Sequence, residues 1–160
     1  MGIGSVILLI LANGFFVAAE FSLVAVRPSR VEELIGQGAP NAAALQRALR
    51  KLDANLAATQ LGITISSLAL GWIGEPALAH LIEPLFAGLP GWLGTAGSHA
   101  TAVALAFALI TAMHIVFGEL APKSLALQRS EGTALRVVRP LAFFLFLLGP
   151  AILFLNGLGN

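Results

Sequence analysis

Apolar residues fall into three long blocks, 3–26, 55–79 and 100–121, each of which as a helix spans the roughly 30 Å of a bilayer's hydrocarbon core. Few polar positions interrupt them: Asn13, Glu20 and Ser22 in the first, Thr59, Gly62, Ser66 and Ser67 in the second, and His114, Gly118, Glu119 and Pro122 around the end of the third. Between the first two blocks, residues 29–53 alternate apolar and charged positions with helical spacing. Pro28 ends the first block, and Ser29 to Glu32 has the form of a capping box opening a short helix, which the Gly36 and Gly38 pair stops. Pro40 and Asn41 open a second short helix, with Ala44, Leu45, Ala48, Leu49 and Leu52 on one side and Arg47, Arg50 and Lys51 mostly on the other. Residues 80–99 are rich in Gly and Pro and read as an external segment, with Trp72 and Trp92 as interfacial aromatics. A last apolar run, 140–155, contains Pro150 and is about 24 Å long as a helix, short for a crossing. It reads either as a fourth span or as a bent belt, the latter a juxtamembrane helix over 134–156.

Composition turns this pattern into a class. With 58% hydrophobic and 11% charged residues the chain is an integral membrane protein, not a nucleic-acid binder. It has no cysteine, and its three histidines are far apart, so a metal site must be built from oxygen. All nine basic residues lie in two groups, Arg27 to Lys51 and Lys123 to Arg139, and none between Asp53 and Pro122. The positive-inside rule puts both groups in the cytoplasm, so the chain goes out and comes back across a plasma membrane, with its N terminus outside; the belt reading of 134–156 leaves the C terminus cytoplasmic.

The candidate chemistry centres on HIVFGELAPKSL, His114 to Leu125. A charge at membrane depth costs about 2.5 kcal/mol or more and marks a functional site by default, so Glu119 needs a partner. Pro122 lacks the N–H that the Gly118 carbonyl would use in a helix, and the position before it, Ala121, is expected to break the helix. A free carbonyl beside a carboxylate is the start of a hard-oxygen cation site. The competing reading is a Glu119–Lys123 pair at i,i+4 closing an ordinary helix end. Ser66 and Ser67 offer hydroxyl oxygens, while the Thr59, Gly62, Ser66 stripe equally suits close helix packing. Asn13 and Glu20 share a helix face and Ser22 points about 180° from Asn13, so one straight helix is not expected to aim all three inward. An interhelical hydrogen bond suits Asn13 as well as ion binding does. His114 sits about 140° from Glu119 on an α-helical wheel and reads as a packing or hydrogen-bonding residue.

Three stretches together, NGFFVAAEFSLVAV at 13–26, TQLGITISS at 59–67 and HIVFGELAPKSLAL at 114–127, resemble the transmembrane domain of the CorC/CNNM magnesium transporters, or haemolysin C-like proteins. The resemblance covers essentially the whole chain. It implies an all-α homodimer in the lipid bilayer, each subunit with three transmembrane helices, short cytoplasmic helices and a belt-like juxtamembrane helix. It also implies ATP-binding cytosolic CBS domains that follow the membrane domain and are not within these residues. The implied magnesium ligands are Ser22, Ser66 or Ser67, and Gly118 with Glu119; Asn13, Glu20 and Pro122 are secondary candidates. The implied activity is outward Mg2+ transport coupled to Na+ entry, without covalent catalysis. The rival is a membrane-anchored sensor or scaffold in which Glu119 is structural.

Overall fold

A computed structural model describes the backbone of residues 2–86 and 94–159, and the side chains of these except 75, 79–86, 94–99, 102 and 151–159. Trp92, and the side chains of Glu75, His80, Glu83 and His99 in or near the expected external segment, lie outside what is described. All regular secondary structure among the described residues is helical, in the order α1 (Ile3–Ala25), α2 (Pro28–Gly36), α3 (Ala42–Arg50), α4 (Leu52–Phe86), α5 (Gly94–Met113), a π-helical segment (His114–Leu120), α6 (Ala121–Gln128) and α7 (Ser130–Gly159).

Four stretches among the described residues are long and apolar enough to cross a membrane: Ile3–Ala25, Leu52–Leu78, Val103–Gln128 and Ser130–Pro150. The chain is a multi-pass membrane protein. The fourth stretch belongs to one helix that starts at Ser130 and holds both Pro140 and Pro150 inside it, as a helix over 134–156 also would. Proline is tolerated in membrane helices where neighbouring groups satisfy the carbonyls it frees. The helix is therefore not limited to the sixteen apolar residues 140–155.

α1 is the central helix, packed against α4, α6, α7 and the π segment. That enclosure explains why Asn13 and Ser22, on opposite sides of α1, are both fully buried. Two apolar cores line the helix. One gathers Phe16, Ala19, Leu23 and Val26 with Val31, Leu45, Ala58, Val138 and Leu141; the other gathers Val6 and Ile10 with Leu70, Leu78, Ala106 and Ile110. Asn13 stands between them. Helix crossing is close at this level: a Cβ on Gly62 would lie 2.5 Å from the Phe16 ring, and one on Gly14 would lie 3.0 Å from Pro122 Cγ and 3.1 Å from the Phe117 carbonyl oxygen.

The polar helices form one end of the bundle. α2 starts at Pro28 in the first-turn position and Arg27 is its N-cap, so the Ser29 capping box does not form; the fixed proline φ and its missing donor suit helix entry without it. Gly38 takes φ +70 beyond the end of α2, as the Gly36 and Gly38 pair suggests. Asn41 adopts φ +66 and its Nδ2 donates to the Leu135 carbonyl at 2.8 Å, tying the entry of α3 to α7. Arg30 Nε donates to Glu131 Oε1 at 3.1 Å, so groups from the two basic regions meet at this end.

Candidate functional site: a buried polar layer and a π-helical turn

Pro122 leaves the Gly118 carbonyl without its helical donor, and Asn13 of α1 supplies one: Asn13 Nδ2 donates to Gly118 O at 3.0 Å. The other end of the Asn13 amide, Oδ1, accepts from Ser66 Oγ at 2.9 Å and Ser67 Oγ at 3.1 Å, both on α4. One side chain thus joins three segments through hydrogen bonds that span 53 to 105 residues of sequence. Ser66 has a second acceptor in the Gly62 carbonyl, 2.7 Å away. Among the described residues no buried side-chain polar atom lacks a partner, as a low-dielectric interior demands.

The segment that carries Gly118 and Glu119 does not break at Ala121, whose φ −66 and ψ −47 continue the helix. It widens instead into a π-helix, with the Ala121 N–H donating to the Val116 carbonyl. An i→i+5 turn is uncommon and recurs at functional sites. Here it relieves the clash between a proline ring and the carbonyl four residues earlier, and lets Gly118 O turn toward α1. A Cβ on Gly118 would meet His114 Cδ2 at 2.7 Å and Asn13 Nδ2 at 3.2 Å, so only glycine fits.

The same widening changes which side chains meet. On an α-helix His114 and Glu119 point about 140° apart, but across the π turn His114 Nε2 lies 3.7 Å from Glu119 Oε1, an ion pair when the imidazole is protonated. The wheel-based separation of these residues is thereby corrected. His114 Nε2 is also 3.4 Å from Ser67 Oγ, which makes a continuous polar chain from Glu119 through His114 and Ser67 to Asn13. The side chain of His114 is 18% exposed and that of Glu119 is 49% exposed. The chain therefore runs from a closed interior to an open edge.

Glu119 borders a cleft of about 250 Å3 with Val17, Phe21, Ile63, Leu120 and Lys123. Lys123 Nζ lies 4.6 Å over the Phe21 ring. Among the described residues the ion pair of Glu119 is with His114, not Lys123. Of the sequence candidates, Ser66, Ser67 and Gly118 converge on Asn13, and Glu119 reaches them through His114. Pro122 packs beside Gly14. Ser22 does not join this layer: its hydroxyl donates to Ala19 O in its own helix at 3.1 Å, nine residues and about 13.5 Å along α1 from Asn13. Glu20 is half-buried and has no part in the polar chain. No group of three or more His, Cys, Asp or Glu residues forms among the described residues, so the clustered donors are amide, hydroxyl and carbonyl groups.

Two roles exceed what the sequence suggested. Asn13 is the hub and not an accessory, and its signal was a lone amide in an apolar helix. His114 is the link to Glu119, and only the extra residue per turn that Pro122 permits brings the two together.

The sequence profile of the Cyclin M transmembrane N-terminal domain, CNNM, matches residues 4–160. The UPF0053 proteins YhdT and YrkA of Bacillus subtilis are 47% and 41% identical over 93% and 94% of the chain, which covers 32% and 34% of their lengths. The polyamine export protein of Escherichia coli is 28% identical over 97% of the chain and 34% of its own length. The chain spans about a third of the length of these curated relatives.

Proposed function

The chain belongs to the Cyclin M transmembrane-domain family, and on that premise we propose that it is the membrane part of a cation transporter whose cargo is Mg2+. The observation that carries this reading is the buried layer of neutral oxygens, from Asn13, Ser66, Ser67 and Gly118, joined through His114 to the carboxylate of Glu119. Mg2+ prefers compact octahedral oxygen coordination. Ser66 can keep its proton on the Gly62 carbonyl while its lone pairs face an ion, and rotation of the Asn13 amide would expose Gly118 O. Glu119 supplies the one formal anion. The layer opens and closes as the cargo replaces these hydrogen bonds, with alternating access about Glu119.

Outward transport, Na+ as the counter-ion, a homodimer and ATP-binding cytosolic domains beyond these residues complete the proposal. Ser22 joins the site only if α1 or its neighbours shift, since here it is more than two turns from Asn13. The proposed topology places the end formed by α2, α3 and the start of α7 in the cytoplasm. Cysteines at Gln46 and Arg129 should then label only from that side, and one at Asn160 distinguishes a belt-like α7 from a fourth crossing.

The rival reading is a membrane scaffold, favoured by the fact that the polar layer is already satisfied without an ion. Flux measured with an Mg2+-sensitive dye in proteoliposomes separates the two. Transport by the wild type, its loss in Glu119→Gln and its retention in Lys123→Gln support the transporter. Equal Mg2+ flux with and without the Glu119 carboxylate rejects the site, and no wild-type flux of Mg2+ favours the scaffold. The similarity to the polyamine export protein of Escherichia coli makes a polyamine the cargo to test in parallel.

A further inference from the structure

Behind Ser67 and His114, away from Asn13, lies a second cavity of about 160 Å3 between α4 and α5, lined by Ser67, Leu70, Gly71, Phe107, Ile110, Thr111 and His114. Its wall is two-sided. Ser67, Thr111 and His114 present polar atoms, while Leu70, Phe107 and Ile110 close the remainder. At about 30 Å3 per water the space has room for roughly five waters, and Ser67, Thr111 and His114 give them the polar partners that a purely apolar cavity lacks. Gly71 leaves it open: a Cβ there would have nothing within 4 Å.

We propose that this cavity is a hydrated antechamber that takes a cation with part of its water shell before the cation reaches the polar layer. The proposal rests on the transport reading and adds where the cargo waits. Among the described residues the polar groups on the cavity wall are two hydroxyls and an imidazole and none is a carboxylate, so it is a place of passage that leaves the water shell mostly in place, unlike a dehydrating site. Ser67 is the partition. Its single hydroxyl lies 3.1 Å from Asn13 Oδ1 on the layer side and 3.4 Å from His114 Nε2 on the cavity side. A cation in the cavity meets the Ser67 oxygen first, and entry to the layer requires that hydroxyl to leave Asn13.

The test uses single cysteines at Gly71 and Thr111 in the full chain in membranes, with Leu68→Cys as the reference. Leu68 is 71% exposed on the same helix, within the apolar stretch Leu52–Leu78 that is long enough to cross a membrane. The cysteine thiolate attacks the methanethiosulfonate sulfur and expels methanesulfinate, and because the thiolate forms in water and not in hydrocarbon, both cavity positions should react about tenfold or more faster than position 68. Millimolar Mg2+ should slow labelling at both cavity positions and leave position 68 unchanged. Labelling as slow as at position 68 at both cavity positions means an acyl chain or closed packing fills the space, and overturns the antechamber whatever the transport assay shows. Fast labelling that Mg2+ does not slow makes it a water pocket off the path, which also overturns the proposal. Fast, Mg2+-protected labelling in Glu119→Gln, whose transport is lost, keeps the antechamber separate from the deeper site. Should Gly71→Cys not accumulate, the near-isosteric Thr111→Cys decides.

Discussion

Gly118 and Glu119 are neighbours in sequence with opposite situations. The Gly118 carbonyl is buried and already matched by Asn13, whereas the Glu119 carboxylate is half exposed and has only His114 at 3.7 Å. The first is a neutral group that the fold needs to satisfy in order to bury it. The second is a charge that the isolated subunit does not cover, so it calls for a cation or a second surface at membrane depth. One π turn sets both, because the widening that frees the carbonyl also brings the carboxylate round to His114. Stability and ion response should therefore divide between the two residues.

The largest effect expected is from Asn13→Leu. Leucine fills similar space but removes the donor to Gly118 O and the acceptor of two serines. Ser66 retains Gly62 and Ser67 retains His114, so Gly118 O is the group that loses its side-chain donor, and Pro122 has no N–H to take its place at i+4. A buried carbonyl without its side-chain donor together with two lost hydrogen bonds corresponds to about 3 kcal/mol, or a fall in Tm of about 10 °C. Thermal unfolding in detergent measures it. A Tm within a degree of wild type would mean that the layer is not structural.

Glu119→Gln should do the reverse. It leaves the unliganded Tm close to wild type, since glutamine keeps the shape and removes a charge from membrane depth. It should remove the Mg2+-dependent rise in stability, which for the wild type at a hundredfold excess over Kd is about 2.7 kcal/mol. An undiminished Mg2+ shift in Glu119→Gln would make the comparison between the two residues one of position only.

These two residues also show how far the sequence could be read. The freed Gly118 carbonyl was legible, because a proline's missing donor is a local fact. Its partner was not, since Asn13 is 105 residues away and single-sequence periodicity carries no information on which helices meet. The His114–Glu119 contact was hidden for another reason: the wheel assumes 3.6 residues per turn, and the turn here is wider. Local geometry also overruled two boundary signals. Pro28 entered α2 at its first turn in place of the Ser29 cap, and Ala121 continued the helix before Pro122 in place of breaking it.

A smaller effect is expected from Pro122→Ala, which changes the turn without removing any side chain that carries a polar atom. Alanine restores an N–H that competes with Asn13 for Gly118 O, while the contact of the ring with Gly14 is lost. These changes oppose one another, and the net shift should be under about 1 kcal/mol. The informative readout is geometric. Cysteines at His114 and Glu119 can be bridged only where their Cα atoms lie within about 7 Å, which a π turn allows and an α-helix at i,i+5 does not. Disulfide formation in the parent and its loss with Pro122→Ala would trace the contact to the proline; equal formation in both would assign the turn to the rest of the packing.

The smallest effect belongs to the opposite end of the bundle and serves as the control. Arg30 pairs with Glu33 within α2 and with Glu131 at the start of α7. The hydrogen bond and charge of Arg30 hold the Glu33 carboxyl below its ordinary value of 4.5, and the two acids in turn raise the Arg30 guanidinium. A carboxylate whose pKa is lowered on folding adds stability that is present above the ordinary value and is lost as pH falls through the lowered one. Wild-type Tm should thus decline between neutral pH and the acid range slightly more than that of Glu33→Gln. Both partners are exposed, so water and salt screen the pair, and in 1 M salt, with a Debye length of about 3 Å, the difference between the two proteins should vanish. A salt-insensitive loss at Glu33→Gln as large as that at Asn13→Leu would move the structural centre of the molecule from the buried layer to the clasp between α2 and α7.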